Sequence, residues 1–192
     1  GIGSHQILRR HGCDRLDMKM QRSIWIAATA MACLLPLNAY AAEPGGCETF
    51  AWPVATELQW LKAADSETVA SGGSLKQPPA KAIQLSLLPM DEVKFTADQS
   101  RRRKEADKTQ FGGAVTFESV GEPGIYQISL PVRSWVDVVQ GGKTLKSAAH
   151  TSKTDCDGVR KSIRFPMGEG PVTVEISGIP TDTVKFVIRR GE

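Results

Sequence analysis

Val115-Thr116-Phe117-Glu118, Gly121-Glu122-Pro123-Gly124 and Tyr126-Gln127-Ile128-Ser129-Leu130 follow one another along the chain and decide the fold. Apolar and polar residues alternate in the first and third stretches. Successive side chains of a strand point to opposite faces, so this period marks two half-buried strands. The Gly- and Pro-containing stretch between them is turn chemistry.

The same pattern recurs in both directions. Towards the C-terminus, Trp135 to Val139 is a run closed by Gly141-Gly142, and Thr144 to Ala149 is a weaker one. Val159 to Phe165 follows Asp157-Gly158. Val172, Val174 and Ile176 alternate with Thr173 and Glu175, and Val184, Phe186 and Ile188 lie opposite Lys185 and Arg189. Towards the N-terminus, Ile83, Leu85 and Leu87 alternate with Gln84 and Ser86, and Val93 with Phe95 makes a short second run. Asp98 to Gln110 is charged and without period, so a long exposed loop is expected. Val54, Leu58 and Leu61 recur at helical spacing after Pro53, which predicts a short amphipathic helix to about Ala64. Gly72-Gly73-Ser74 and Gln77-Pro78-Pro79 read as loop. The expectation is an all-β chain, an antiparallel β-sandwich or jelly roll with a short N-terminal helix. Residues 42–80 would hold the helix and loop, and residues 81–192 the sandwich core.

Residues 18–41 have a different character. Lys19 and Arg22 precede the apolar run Ile24 to Leu35, and Pro36 and Asn38 lead to Ala39-Tyr40-Ala41. Positive region, apolar region and small-x-small site together read as a secretory signal peptide cleaved after Ala41. The run is shorter than the roughly 18 residues of a membrane span. Residues 1–17 read as an upstream extension outside the native protein, with Met18 or Met20 as the start. A periplasmic or secreted location follows as an expectation, with no transmembrane segment in the remainder.

Charge and cysteine usage agree with export. The chain has a formal charge of +3, and residues 1–41 carry all of it (Arg9, Arg10, Arg15, Lys19 and Arg22 against Asp14 and Asp17). The remainder is formally neutral, so no global field steers it to nucleic acid. Only Cys47 and Cys156 lie beyond the cleavage site, and in an oxidising compartment they are expected to pair.

Phe111-Gly112-Gly113, Gly124-Ile125-Tyr126, Ser134-Trp135-Val136-Asp137-Val138-Val139, Ala148-Ala149-His150, Cys156-Asp157-Gly158-Val159-Arg160-Lys161-Ser162 and Gly170-Pro171-Val172 form a further set. With them the chain resembles a family of small exported proteobacterial β-sandwich proteins, over most of the residues after Cys47. Some members of that family carry a homogentisate 1,2-dioxygenase label. The Gly-x-Tyr strand opening is also similar to carbohydrate-binding and protease-associated sandwiches. The resemblance implies export and a sandwich fold; it supplies no catalytic residues. The dioxygenase label conflicts with the residues. A mononuclear iron oxygenase typically needs two His and a carboxylate. His5 and His11 precede the signal, which leaves His150 alone.

Other catalytic signatures are absent from the sequence. It has no Gly-x-Ser-x-Gly, no His-Glu-x-x-His, no phosphate-cradling Gly loop and no dinucleotide fingerprint. No cofactor or metal is expected. Asp155 and Asp157 flank Cys156 and read as turn-shaping residues. Arg101-Arg102-Arg103-Lys104 suits an anionic polymer or lipid head group, or, beside Asp98, Glu105 and Asp107, a solvated loop. Trp135 and Asp137 share a strand face, a pairing able to stack on and hydrogen-bond to a sugar, although a sandwich Trp ordinarily packs in the core. His150 is a ligand contact or a plain surface residue. Lys161 shares the phase of Val159, Ile163 and Phe165, so it either snorkels out at the strand end or contacts a charged ligand at the sandwich mouth. The functional expectation is an exported, non-enzymatic binding or accessory module. Its preferred partner is a glycan or envelope component. The alternatives are a metal-dependent oxygenase and a structural assembly subunit.

Overall fold

Alternation places one apolar row on each strand, and two such faces close on each other as a sandwich. The computed structural model describes residues 45–98 and 110–192; the signal segment, the upstream extension and the Arg101–Lys104 run lie outside them. The strands are β1 (Ser66–Ala70), β2 (Gly73–Leu75), β3 (Ala82–Ser86), β4 (Leu88–Pro89), β5 (Phe111–Phe117) and β6 (Gly124–Leu130). They continue with β7 (Trp135–Gln140), β8 (Lys143–Thr144), β9 (Ala149–Ser152), β10 (Lys161–Met167), β11 (Val172–Ile179) and β12 (Thr183–Arg190). One helix, α1 (Ala55–Lys62), precedes them after a short 3-10 turn, Gly46–Thr49. No described helix is long and apolar enough to cross a membrane.

The first sheet runs β1-β3-β12-β6-β10-β9, and the second runs β2-β5-β11-β7-β8 with β4 also on β5. Phe117, Ile128, Leu130, Val138, Val174, Ile176, Phe186 and Ile188 meet between the sheets and are fully or almost fully buried. The all-β sandwich with its short helix is therefore the architecture, with one difference from the antiparallel expectation. β1 joins β3 in parallel and β2 joins β5 in parallel, so both sheets are mixed. Those strands fall within the stretch read as helix and loop. In Ser66-Glu67-Thr68-Val69-Ala70 only Val69 is buried, so the sequence carried no alternating apolar row to reveal a strand.

Two other runs differ. Thr144 to Ala149 is not one strand. β8 pairs back onto β7, the chain then crosses between the sheets with Leu145 packed on the core, and β9 pairs with β10. Val93 and Phe95 form no strand. Instead the N–H groups of Thr96 and Ala97 donate to the two carboxylate oxygens of Glu175, at 2.6 and 3.0 Å, which fastens this segment over the outer face of β11.

A third layer covers the first sheet. Phe50, Trp52, Val54 and Leu61 pack with Ala82, Val159 and Val187 into a second apolar cluster. Gln127, Ser129 and Ser162, polar residues on the outer phase of their strands, are buried beneath it. They remain hydrogen-bonded, as buried polar groups must. Trp52 Nε1 donates to Ser162 Oγ at 3.0 Å, and Ser129 Oγ donates to the same oxygen at 2.7 Å. The layer is stapled by a Cys47–Cys156 disulfide joining residues 109 apart. Beside it the Gly46 N–H donates to Asp155 Oδ2 at 3.0 Å, so Asp155 does shape this junction.

Candidate functional site

At one end of the sandwich β6 ends at Leu130, β7 begins at Trp135 and β10 begins at Lys161. A cleft of about 870 Å³ opens there, between the β6–β7 connection, the start of β10, the edge strand β9 and the end of β11. Trp135, His150 and Lys161 all line it. Asp137 is not among its lining residues.

Lys161 owes its position to where the strand starts. Val159 is not in the same strand; it turns into the outer apolar cluster, whereas Ile163 and Phe165 face the inter-sheet core. Lys161 is thus the first inward-phase residue of β10, at the mouth. Its ammonium donates to the Ser134 carbonyl at 2.8 Å, linking the first sheet to the connection that delivers Trp135. A cation at this end of a strand keeps its head in the polar mouth while its stem lies along apolar surface.

Trp135 is 45 % exposed, not a core residue. Val136 and Val138 take the inward phase of β7, which sends Trp135 and Asp137 to the other face. Trp135 lies opposite Ser177 on β11, just where the β5–β11 register shifts between Ser177 and Ile179. Gly178 sits in that irregularity at φ +77, and a Cβ on it would lie 3.1 Å from Trp135 Cδ1. The bare backbone lets the indole rest against the strand, and the positive φ suits glycine.

Asp137 lies two residues further along β7, opposite Glu175. His150 pairs with Ile163 across β9 and β10, so it shares the inward phase at the sheet's edge and is exposed there.

The cleft also holds residues with no sequence signal. Arg133 and Arg160 line it, as do Ser134 and Ser177. They come from three separate chain segments, and nothing periodic links them. Arg160 is fixed by its surroundings: its N–H donates to the Leu130 carbonyl at 2.7 Å and Nη1 donates to the Lys153 carbonyl at 2.9 Å. Ser134 is 6 % and Ser177 1 % exposed, yet neither hydroxyl has a hydrogen-bond partner. Buried hydroxyls without partners are uncommon and costly.

The arrangement combines an aromatic face with fixed cations, which is equipment for holding a polar molecule. A scan against protein-family models, a search of curated proteins and a search of solved structures each find no match, and function therefore rests on the site.

Proposed function

We propose that the protein is an exported, non-enzymatic binding or accessory module whose cleft takes a glycan or another envelope component. One observation carries this reading: the exposed Trp135 ring stands in the same cleft as Lys161, His150, Arg133 and Arg160. An indole face covers the apolar C–H face of a sugar ring, and the polar groups around it exchange hydrogen bonds with sugar hydroxyls.

The Cys47–Cys156 disulfide supports an oxidising, periplasmic or secreted location, as does the signal-like segment of residues 18–41. The resemblance to small exported proteobacterial sandwiches agrees with this. The homogentisate 1,2-dioxygenase label is not adopted, because His150 is the one histidine after residue 41.

An array of envelope-type saccharides probed with the purified protein tests the reading. Retention of a glycan that is recovered chemically unchanged is the expected result. Turnover of a saccharide or other substrate at a rate that drops in His150→Ala would overturn it in favour of an enzyme.

A further inference from the structure

The outer layer is joined to the sandwich differently from the strands. Residues 45–62 cover the first sheet, and among the described residues no main-chain hydrogen bond ties them to a strand. Their own regular structure is one 3-10 turn and the eight-residue α1, too short to be stable alone. Phe50, Trp52, Val54 and Leu61 belong to an apolar cluster separate from the inter-sheet core. A unit with few main-chain ties opens at lower cost than the strands below it.

The face beneath the layer is largely polar. Gln127, Ser129, Ser162, Arg164 and Arg189 take the outer phase of β6, β10 and β12, with Val187 among them. Apolar inside and polar outside is the alternation of a sheet with one solvated face. Closure also carries a cost. Glu57 is fully buried, and its Oε2 has no hydrogen-bond partner. Lifting α1 returns that oxygen to water.

The layer has a covalent anchor at each end. After α1 the chain runs into β1; before α1 the Cys47–Cys156 disulfide holds it to the segment preceding β10. The disulfide is reachable from one side. Cys156 is buried, whereas Cys47 is partly exposed and lines an open cleft of about 540 Å³ with Phe50, Trp52, Pro53 and Leu58.

We propose that the Cys47–Cys156 disulfide is a redox latch: its reduction by a dithiol frees residues 45–62 as a flap, hinged at residues 63–65, and uncovers the outer face of β6, β10 and β12. A thiolate of the dithiol attacks the accessible Sγ of Cys47; the S–S bond breaks, and Cys156 leaves as a thiolate that takes up a proton. The second thiol of the dithiol then attacks its own sulfur in the mixed disulfide, releases Cys47 as a thiol and departs as a disulfide. Two electrons and two protons pass from the dithiol to the protein. The latch is independent of what the Trp135 cleft holds.

Hydrogen exchange of the whole protein, read by mass spectrometry with and without dithiothreitol, tests this, with alkylation of the freed thiols to count them. Dithiothreitol should open the disulfide at neutral pH without denaturant. Peptides covering α1 should then exchange at least about thirtyfold faster than in the oxidised protein. In the reduced protein α1 should also be at least about tenfold less protected than β11, because the flap opens while the sandwich stays folded. Unchanged α1 exchange after reduction would overturn the latch. So would equal protection of α1 and β11 in the reduced protein, since the layer would then open only with the whole fold. A disulfide that dithiothreitol reduces only in denaturant would overturn it as well.

Discussion

Glu57 on α1 and Arg189 on β12 are joined by a 2.8 Å ion pair in which the glutamate is fully buried. Gln127 donates to the same Glu57 oxygen, and Arg164 donates to Gln127 Oε1 at 3.1 and 3.2 Å while lying 4.4 Å from the Trp52 ring centre. The chain's early segment is thus tied to its last strand through polar groups as well as apolar packing. Burial alone would lower the Arg189 pKa; the hydrogen bond and charge of Glu57 outweigh this and hold it above the ordinary guanidinium value.

Removing one partner from such a pair leaves the other charge buried. Arg189→Met should cost about 3–5 kcal/mol. The double change to Arg189→Met with Glu57→Leu should cost clearly less, because no charge is then stranded. Urea unfolding of the two variants checks the order, and a double variant as unstable as the single one would contradict it.

Tyr126 gives the protein an alkaline limit. Its hydroxyl lies 2.7 Å from the Val120 carbonyl and 2.8 Å from the Glu122 carbonyl, so one proton is shared between them and closes the Gly121–Gly124 corner. Burial raises its pKa above 10.0, nearby Arg190 opposes the rise and Glu122 adds to it. The folded state therefore keeps a proton that the unfolded chain has already lost. This contribution is complete below about pH 10 and is lost as pH rises through the higher folded value. Tyr126→Phe should cost about 1 kcal/mol at neutral pH. It should also flatten the alkaline decline of the unfolding midpoint; an unchanged decline would refute the assignment.

The disulfide should be worth most to the outer layer. It closes a loop of 109 residues, for which chain entropy gives about 4–5 kcal/mol, an upper figure that native strain often reduces. Guanidinium unfolding with and without reductant should differ by roughly 2–5 kcal/mol. Equal midpoints would show that α1 and Trp52 hold the layer without it.

The sandwich was readable because its core obeys period two. Ile128, Val174 and Phe186 each sit in a run whose neighbours alternate, and each is fully buried between the sheets. β1 and β2 were not readable, since a short strand with one inward apolar residue leaves no period. The burial of Gln127, Ser129 and Ser162 was hidden for a different reason. Alternation reports which face a side chain takes, and says nothing of whether a third layer covers that face. The cleft was legible only in pieces. The pairing with Asp137 on one strand face drew attention to Trp135, and a charge on an apolar phase drew attention to Lys161. Arg133, Arg160, Ser134 and Ser177 lie at strand ends brought together by sheet order, which a single sequence does not state. The same limit separates Asp137 from Trp135: shared phase puts both on one face of β7, but only Trp135 reaches the strand end where the cleft opens.

The central claim is that the cleft holds a saccharide against Trp135. The most direct test is calorimetric titration of wild-type protein and Trp135→Ala with the glycan retained on the array, with thermal unfolding of both run alongside. The account predicts saturable one-site binding in the wild type. It predicts at least about tenfold weaker binding, some 1.4 kcal/mol, in Trp135→Ala at an unchanged unfolding midpoint. Equal affinity in the two proteins would contradict it and place the ligand elsewhere on the molecule.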